Sequence, residues 1–587
     1  MPKDIIRAAC WALWLTVSAI SLGQTNASVP GQATAPTSQE KPAGPSAVLK
    51  VTTRLVVVDV VAKTNKGEVV KDLKAEDFSL IEDGKQQEIR SFSFQQGESN
   101  SRPQIETLSP GVFTNQLGYR PTGALNVVLL DALNSNLPDQ TFMRDAMVKF
   151  LAKLPDRGPI AIYVLGLKLR LLQDFTSDPD TLRQAIQNLK TQSSPVLNDP
   201  AGTSPISDLP PGGVAAAVLA SVPGLRSQIL AFQAERSAAQ TDFQVSYTLK
   251  ALNSLGRSLA GYPGRKNLIW ISESFPFNIN SENTNHAARD YSYDVAATGS
   301  LLSDAQVAVY PIDARGLVNY SAFSVPTSAG TLGNGATLRD GMGASMDVDA
   351  NSLLAAHTTM NDLAEKTGGQ AFYGHNDLED MIRDSINDGA TYYTLGYYPE
   401  NKDWNGNFRK IHVKVSRAGI KLRYRIGYLA LDRTAFAKAN PAKQDADLDQ
   451  ALNLDWPIAT ALTFQAQVLP PSPQTQNKVV VRYRIDPHGL NFEAGNDGLQ
   501  HVAVLCAARA FSAKDPGKIV GAEANKMEGP LRQEAYSKIV NGFFPCQEQL
   551  DLPPGSYILR LGVRDNSTGL IGSATAQVSV PESQKTP

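Results

Sequence analysis

The sequence predicts a multidomain chain in which a doubly wound α/β domain is flanked by β-sandwich domains. Three observations carry this. The run Ala124-Leu125-Asn126-Val127-Val128-Leu129-Leu130-Asp131 is apolar but for Asn126 and stops at a carboxylate, as a central parallel strand does when both of its faces are covered. Segments with strand-like alternation lie on either side of it, at residues 48–100 and 391–430, and again over 456–583. Finally, 587 residues, 42% hydrophobic and 19% charged, are too many for one core and too apolar for a disordered chain.

The chain opens with Lys3 and Arg7, then an apolar stretch from Ala8 to Leu22, then small and polar residues. That is the layout of a secretory signal peptide, residues 1–23, with cleavage after Gly23 or after Ala27. The stretch falls short of the ~20 apolar residues that span a bilayer, so no stable membrane span is expected once the signal is removed. The expected location is secreted, periplasmic or cell envelope. Residues 24–47, dominated by Ala, Thr, Ser, Pro, Gly and Gln, cannot bury enough apolar surface to offset ordering and read as a disordered leader. A net charge of −2 gives no nucleic-acid or membrane-surface footprint. Past the signal, Cys506 and Cys546 are the remaining cysteines, either one disulfide of an exported protein or two buried thiols.

Residues 48–100 form a β segment: a long strand over 49–62, a turn at Asn65-Lys66-Gly67, a strand at Phe78-Ser79-Leu80-Ile81, a hairpin turn at Glu82-Asp83-Gly84 and a return over 89–94. Fifty such residues make a marginal core, so they are expected to share a sandwich with residues 391–430. A polar linker leads to the α/β domain, residues 122–390. Its first helix, over 139–154, carries Phe142, Met143, Ala146, Met147, Phe150, Leu151 and Leu154 at helical spacing. Residues 159–165 are the second strand. Only Gly166-Leu167-Lys168 separate it from the third, over 169–175, and so short a link excludes a crossover and makes that strand an antiparallel edge.

Ser177 or Asp178 caps the next helix, with Leu182, Ile186 and Leu189 inward. Residues 193–213 are a Pro, Gly and Ser-rich insertion, and a long helix spans about 225–259. Pro263-Gly264-Arg265-Lys266 turns the chain into the fourth strand, 267–272, closed by Glu273 and Ser274. After a helix at 301–306, the fifth strand, 307–313, ends in Asp313. A Gly and Ser-rich loop over 316–348, a helix over 351–366 stopped by Thr367-Gly368-Gly369, a strand at 370–373 and a helix at 377–387 complete the domain. A charged, Ala-rich linker, 431–455, leads to an immunoglobulin-like β-sandwich over 456–583.

In an open α/β sheet ligands gather where the strands stop. Asp131, Ser135 and Glu273 fall there, with Asp313 nearby, and carboxylate and hydroxyl oxygens suit a hard divalent cation. An enzyme would have to use the same edge, as a hydrolase with Asp131 and Glu273 for acid and base, or with Ser272 or Ser274 as nucleophile beside a histidine. The histidines, at 286, 357, 375, 412, 488 and 501, show no ligand spacing, and no nucleophile elbow, zinc motif or phosphate loop occurs.

Taken together, Leu129-Leu130-Asp131-x-x-x-Ser135, the hairpin after the first helix, Pro263 to Ser272, Val309-Tyr310-Pro311-Ile312-Asp313-Ala314-Arg315-Gly316 and Thr367-Gly368-Gly369-Gln370-Ala371-Phe372 resemble a von Willebrand factor type A domain. With Asp77-Phe78-x-x-x-Glu82-Asp83-Gly84 before it and Tyr393-Thr394-Leu395-Gly396-Tyr397 behind, the stretch is similar to the type A related family of secreted acidobacterial proteins. The resemblance implies a Rossmann-like domain that binds a protein partner through a metal-ion-dependent adhesion site holding Mg²⁺. It places Asp131 and Ser135 in the first loop, Ser193 in the second, with Thr191 and Ser194 as alternatives, and Glu273 in the third. The site is degenerate, because Leu133 stands where the family has a serine ligand and Glu273 where it has an aspartate. The function so implied is that of an exported, non-enzymatic adhesion-type binding protein; the alternatives are an envelope scaffold without metal, or the hydrolase.

Overall fold

The computed structural model describes residues 54–96, 108–116, 123–153, 158–191, 194, 221, 222, 224–273, 275, 291–315, 353–375, 377–472, 475 and 478–581. The signal peptide, the leader, most of the 193–213 insertion and the 316–348 loop lie outside them, as do Leu154, Ser193, Ser274 and His286. What they hold is a multidomain mixed α/β chain with several sheets.

The first strands are β1 (Val56–Thr64), β2 (Phe78–Glu82), β3 (Lys85–Gln87) and β4 (Ile89–Gln96). They pair with strands from far along the chain: β11 (Thr391–Tyr397), β12 (Asn405–Val415), β13 (Ile420–Arg423) and β14 (Gly427–Leu431). One sheet runs β13-β1-β11-β4 and the other β14-β12-β2-β3. Val58, Val60, Leu80, Tyr393, Leu395, Tyr397 and Val413 fill the space between them. The chain changes sheets between β13 and β14, at Tyr424-Arg425-Ile426.

Next comes β5 (Val112–Thr114), inside what the sequence presents as a polar linker. It pairs with β15 (Phe464–Leu469) of the last module, just over 350 residues on. Buried Asn115 fastens it: Nδ2 donates to the carbonyls of Ala459 (3.0 Å) and Leu462 (2.7 Å), and Oδ1 accepts from the Phe464 N–H (2.9 Å).

The α/β sheet comprises β6 (Leu125–Asp131), β7 (Ile160–Leu165), β8 (Leu169–Thr176), β9 (Lys266–Ser272) and β10 (Val307–Asp313), in the order β8-β7-β6-β9-β10. The β7-β8 pair is antiparallel and the others are parallel. Period-two alternation divides the strands between two cores. Val127, Leu129, Leu268, Trp270, Val307 and Val309 face α3 (Leu225–Leu259), α4 (Ser292–Asp304) and α5 (353–367). Val128, Leu130, Ile269, Ile271 and Ile312 face α1 (Leu137–Ala152), α2 (Pro179–Gln187) and α6 (Leu378–Gly389).

Helix starts follow side-chain capping: Asn136 accepts from Asp139 N (2.9 Å), and Asp178 and Asp377 do the same for α2 and α6. Phe142, expected inward, is 43% exposed, because the buried stripe of α1 runs through Gln140, Met143, Met147 and Phe150. The strand expected at 370–373 is a single parallel bridge, Ile312 to Phe372. Gly369 allows it, since a Cβ there would lie 1.9 Å from the carbonyl oxygen of Val309. Gly368, at φ +77°, is the left-handed stop of α5.

The segment expected as a linker contains α7 (Arg433–Ala439) and α8 (Pro441–Ala451). Leu448, Ala451 and Leu452 pack on Ala507 and Ile571 of the last module. That module adds β16 (Val479–Ile485), β17 (Glu493–Ala494), β18 (Gln500–Ser512), β19 (Ile519–Leu531), α9 (Gln533–Val540), β20 (Phe544–Leu550), β21 (Gly555–Asp565) and β22 (Ile571–Val580). Its sheets are β20-β16-β15-β5 and β17-β18-β21-β22, with β19 on β18. The Cys506–Cys546 disulfide ties one sheet to the other. Among the described residues no helix is long and apolar enough to cross a membrane.

Candidate functional site

The sheet order reverses direction between β6 and β9, so the crevice at their carboxyl ends is where a ligand is expected. Asp131 closes β6 there and is fully buried. Its Oδ1 accepts the Asn134 backbone N–H (3.0 Å). Its Oδ2 accepts three donors: Asn134 Nδ2 (2.9 Å), Trp270 Nε1 (3.0 Å) and Ser272 Oγ (3.0 Å). Burial pushes this carboxyl above its ordinary range, against the pull of those donors. Asn134 Nδ2 also donates to Thr248 Oγ1 on α3 (2.9 Å), which ties the loop to the helix above it.

Glu273 does not join this network, and the pleat gives the reason. β6 and β9 pair with Leu129 opposite Trp270. Leu129, Asp131, Trp270 and Ser272 therefore share the face that α3 covers, while Ile271 and Glu273 point the other way. On that side Glu273 Oε2 accepts the Asn136 N–H at the start of α1 (2.7 Å). Burial pushes the Glu273 carboxyl up to about 7; the Asn136 N–H opposes the shift, the neighbouring Asp139 adds to it, and Arg315 draws it back. The two carboxylates expected to converge on one ion are thus held on opposite faces of the sheet.

Ser135 is buried, and its Oγ accepts the Glu273 N–H (3.0 Å). Ser193 lies outside the described residues. Of its alternatives, buried Ser194 donates to the carbonyl of Leu133 (2.7 Å), and Thr191 is exposed. Asp313 accepts from Arg315 Nε (3.0 Å) and Nη2 (2.7 Å), and faces His357 Nε2 at 3.4 Å. The His357 ring stacks on Tyr373 at 3.9 Å, and burial lowers its pKa against the attraction of Asp313. His357 is therefore a residue of α5 held against the end of β10.

This arrangement does not fit a resident Mg²⁺ on Asp131. A hard divalent ion wants about six oxygen lone pairs, and here an indole N–H and an amide NH₂ point at the oxygen that would coordinate. Leu133, at the serine position, is buried and apolar. The orphaned buried acceptor nearby, Asn134 Oδ1, is one neutral oxygen. Among the described residues no three His, Cys, Asp or Glu side chains are placed to hold a metal.

The residues that complete this edge and escape a reading of the sequence are Asn134, Trp270, Thr248, Asp139 and Arg315. Trp270 carried a usable signal: a tryptophan in a strand covered on both faces needs an acceptor for its N–H. Asp131, on the adjacent strand and the same face, supplies it.

No protein-family model matches the chain, and no curated protein matches it. Among solved structures, the chain is similar to an aerotolerance-related membrane protein from Bacteroides fragilis, at 12% identity over 45% of this chain and 99% of that one, with a TM-score of 0.22. A von Willebrand factor type A protein from Catenulispora acidiphila aligns at 11% identity over 62% and 82%, with a TM-score of 0.18. The three N-terminal domains of the type V pili tip protein Mfa5 from Porphyromonas gingivalis align at 10% identity over 90% and 99%, with a TM-score of 0.23. Alignments this weak carry no argument for function, and the reading of the α/β module rests on its own strand order.

Proposed function

We propose that the chain is an exported, non-enzymatic binding protein of the type A kind, which docks a protein partner at the carboxyl edge of its α/β sheet without a divalent ion on Asp131. Export rests on residues 1–23 of the sequence. The observation that supports the docking mode is the saturation of Asp131 by Asn134, Trp270 and Ser272, which leaves a rigid, ion-free loop between β6 and α1. Beside that loop the rim carries Glu273, Asp139 and Arg315, a mixed-charge surface of the sort that sets register and specificity in protein contacts. A hydrolytic reading is disfavoured by the same geometry. Asp131 and Glu273 lie on opposite faces, so they cannot act together on one bond, and Ser272 Oγ donates to a carboxylate rather than to a histidine.

The test is a calorimetric Mg²⁺ titration, together with affinity capture from envelope extract with and without chelator. Expected are no heat of Mg²⁺ binding, a partner recovered equally with and without chelator, and its loss in the Glu273→Lys, Arg315→Glu double variant. A saturating Mg²⁺ isotherm lost in Asp131→Ala would overturn the ion-free reading. Hydrolase activity that vanishes in Glu273→Gln would overturn the non-enzymatic one.

A further inference from the structure

Where the first sandwich meets the amino end of the α/β sheet, a cavity of about 190 Å³ lies among Arg54, Arg425, Arg433, Trp404, Tyr428 and Asp304. That is room for several waters or a small polyatomic anion. Its charge is lopsided, because three guanidinium groups share one carboxylate. Arg54 and Arg433 both reach Asp304, at 3.2 and 2.6 Å. Burial lowers the Arg54 pKa; Asp304 opposes this, and repulsion from Arg433 and Arg425 adds to it. Arg425, at the point where the chain leaves β13 for β14, is 7% exposed. Its guanidinium stacks on the Tyr428 ring at 5.6 Å, and its Nε and Nη1 are buried with no hydrogen-bond partner. Native proteins seldom leave buried charged donors unmatched, and such a group asks for an acceptor.

We propose that this cavity binds an oxyanion, the phosphoryl, sulfuryl or carboxylate group of a small ligand, with Arg425 as the central donor and Arg54 and Arg433 as flanking cations. The planar fork of a guanidinium matches two oxygens of such a group at once. The ligand can extend beyond its charged head, because a cleft of about 940 Å³ shares Arg54, Asp304, Leu429 and Arg433 with the cavity. The site lies at the end of the sheet opposite Glu273, so its failure and that of the docking rim are separate results.

Calorimetry on the intact chain tests this with inorganic phosphate in one arm and citrate in another, each matched to chloride at equal ionic strength. Saturable binding at one site is expected in at least one arm. Phosphate alone assigns a phosphoryl or sulfuryl ligand, and citrate alone a carboxylate. Arg425→Gln should abolish binding. Since that side chain is buried and its variant can unfold, Arg54→Gln and Arg433→Gln serve beside it; their side chains are about one-third exposed. Each should weaken binding about tenfold or more, as expected for losing one charge-assisted contact. Arg90→Gln, an exposed arginine paired with Glu88, should leave binding unchanged. Heats no different from chloride in both arms, or wild-type affinity in Arg54→Gln and Arg433→Gln, would overturn the proposal.

Discussion

Asp131→Ala separates a structural hub from a vacant metal ligand. Removing the carboxylate breaks the hydrogen bonds it accepts from the Asn134 backbone N–H, Trp270 Nε1 and Ser272 Oγ in a buried site; Asn134 Nδ2 keeps Thr248. Each lost hydrogen bond costs about 1 kcal/mol, so the three sum to roughly 3 kcal/mol. The assay is urea denaturation followed by indole fluorescence, since Trp270 loses its partner and its edge-on neighbour Phe275 sits 4.6 Å away. Wild type and variant should respond identically to Mg²⁺ and to chelator. A variant within about 0.5 kcal/mol of wild type, the range of unremarkable surface changes, would refute the hub. So would a wild-type midpoint that Mg²⁺ raises.

Asn115→Ala should release β5 from the last sandwich, because it leaves the Leu462 carbonyl and the Phe464 N–H without their partner and the Ala459 carbonyl with the Ser573 N–H alone; a loss of about 2–3 kcal/mol is expected in the calorimetric transition of that module, with faster proteolysis near residue 112. Cys546→Ser should cost about 4 kcal/mol by the chain-entropy relation for a separation of 40 residues, and wild type in reductant should unfold at the same urea concentration as the variant. Glu548 points into the last sandwich, where burial pushes its carboxyl from 4.5 up to about 8 against hydrogen bonds from Asn525 and Tyr483. A raised acid favours folding while protonated, so its contribution is whole below about pH 4.5 and lost as pH climbs to about 8. Glu548→Gln should flatten that decline, by up to about 5 kcal/mol across the window, when the melting temperature is followed against pH.

The α/β core was legible because its signals are local. Strand length and apolar continuity gave β6, β7, β9 and β10, and the three residues at 166–168 forced β8 to run antiparallel. The cap at Ser177 or Asp178 was equally readable, and it is Asp178. β5 was not, because three residues in a polar stretch have no periodicity of their own and become a strand only against β15. Composition misled for residues 431–455. Their Ala-rich charged run is good helix, and Asp432, accepting from Thr434 N and Ala435 N, is an N-cap in plain view. At the site, counting residues placed Asp131, Ser135 and Glu273 at one edge but ignored the pleat, and one residue of parity sent Glu273 to the other face.

The same pleat and the chain's route together fix how the α/β module is held. Having built half of the first sandwich, the chain gives β5 to the last one before it enters the α/β sheet, then returns to finish the first sandwich and afterwards the last. The inserted module is therefore anchored to both. At its amino end the turn before β9 makes the joint: Arg265 N–H donates to Tyr392 Oη (3.0 Å), and Arg265 Nη2 donates to Tyr310 Oη (3.0 Å) and the Gly368 carbonyl (2.7 Å). Tyr310 Oη in turn donates to Asp388 (3.0 Å), which also pairs with Lys63 of β1 (2.6 Å) and with Arg423 of β13. Burial works against the charge on Asp388, yet Arg423 and Lys63 hold its carboxyl below the ordinary range. With Asp388 buried, removing both of its cations would leave an uncompensated buried charge, so the joint favours one geometry over others. The module that carries the carboxyl edge is consequently held by covalent chain on both sides and by the ion pairs of buried Asp388, rather than by a flexible linker.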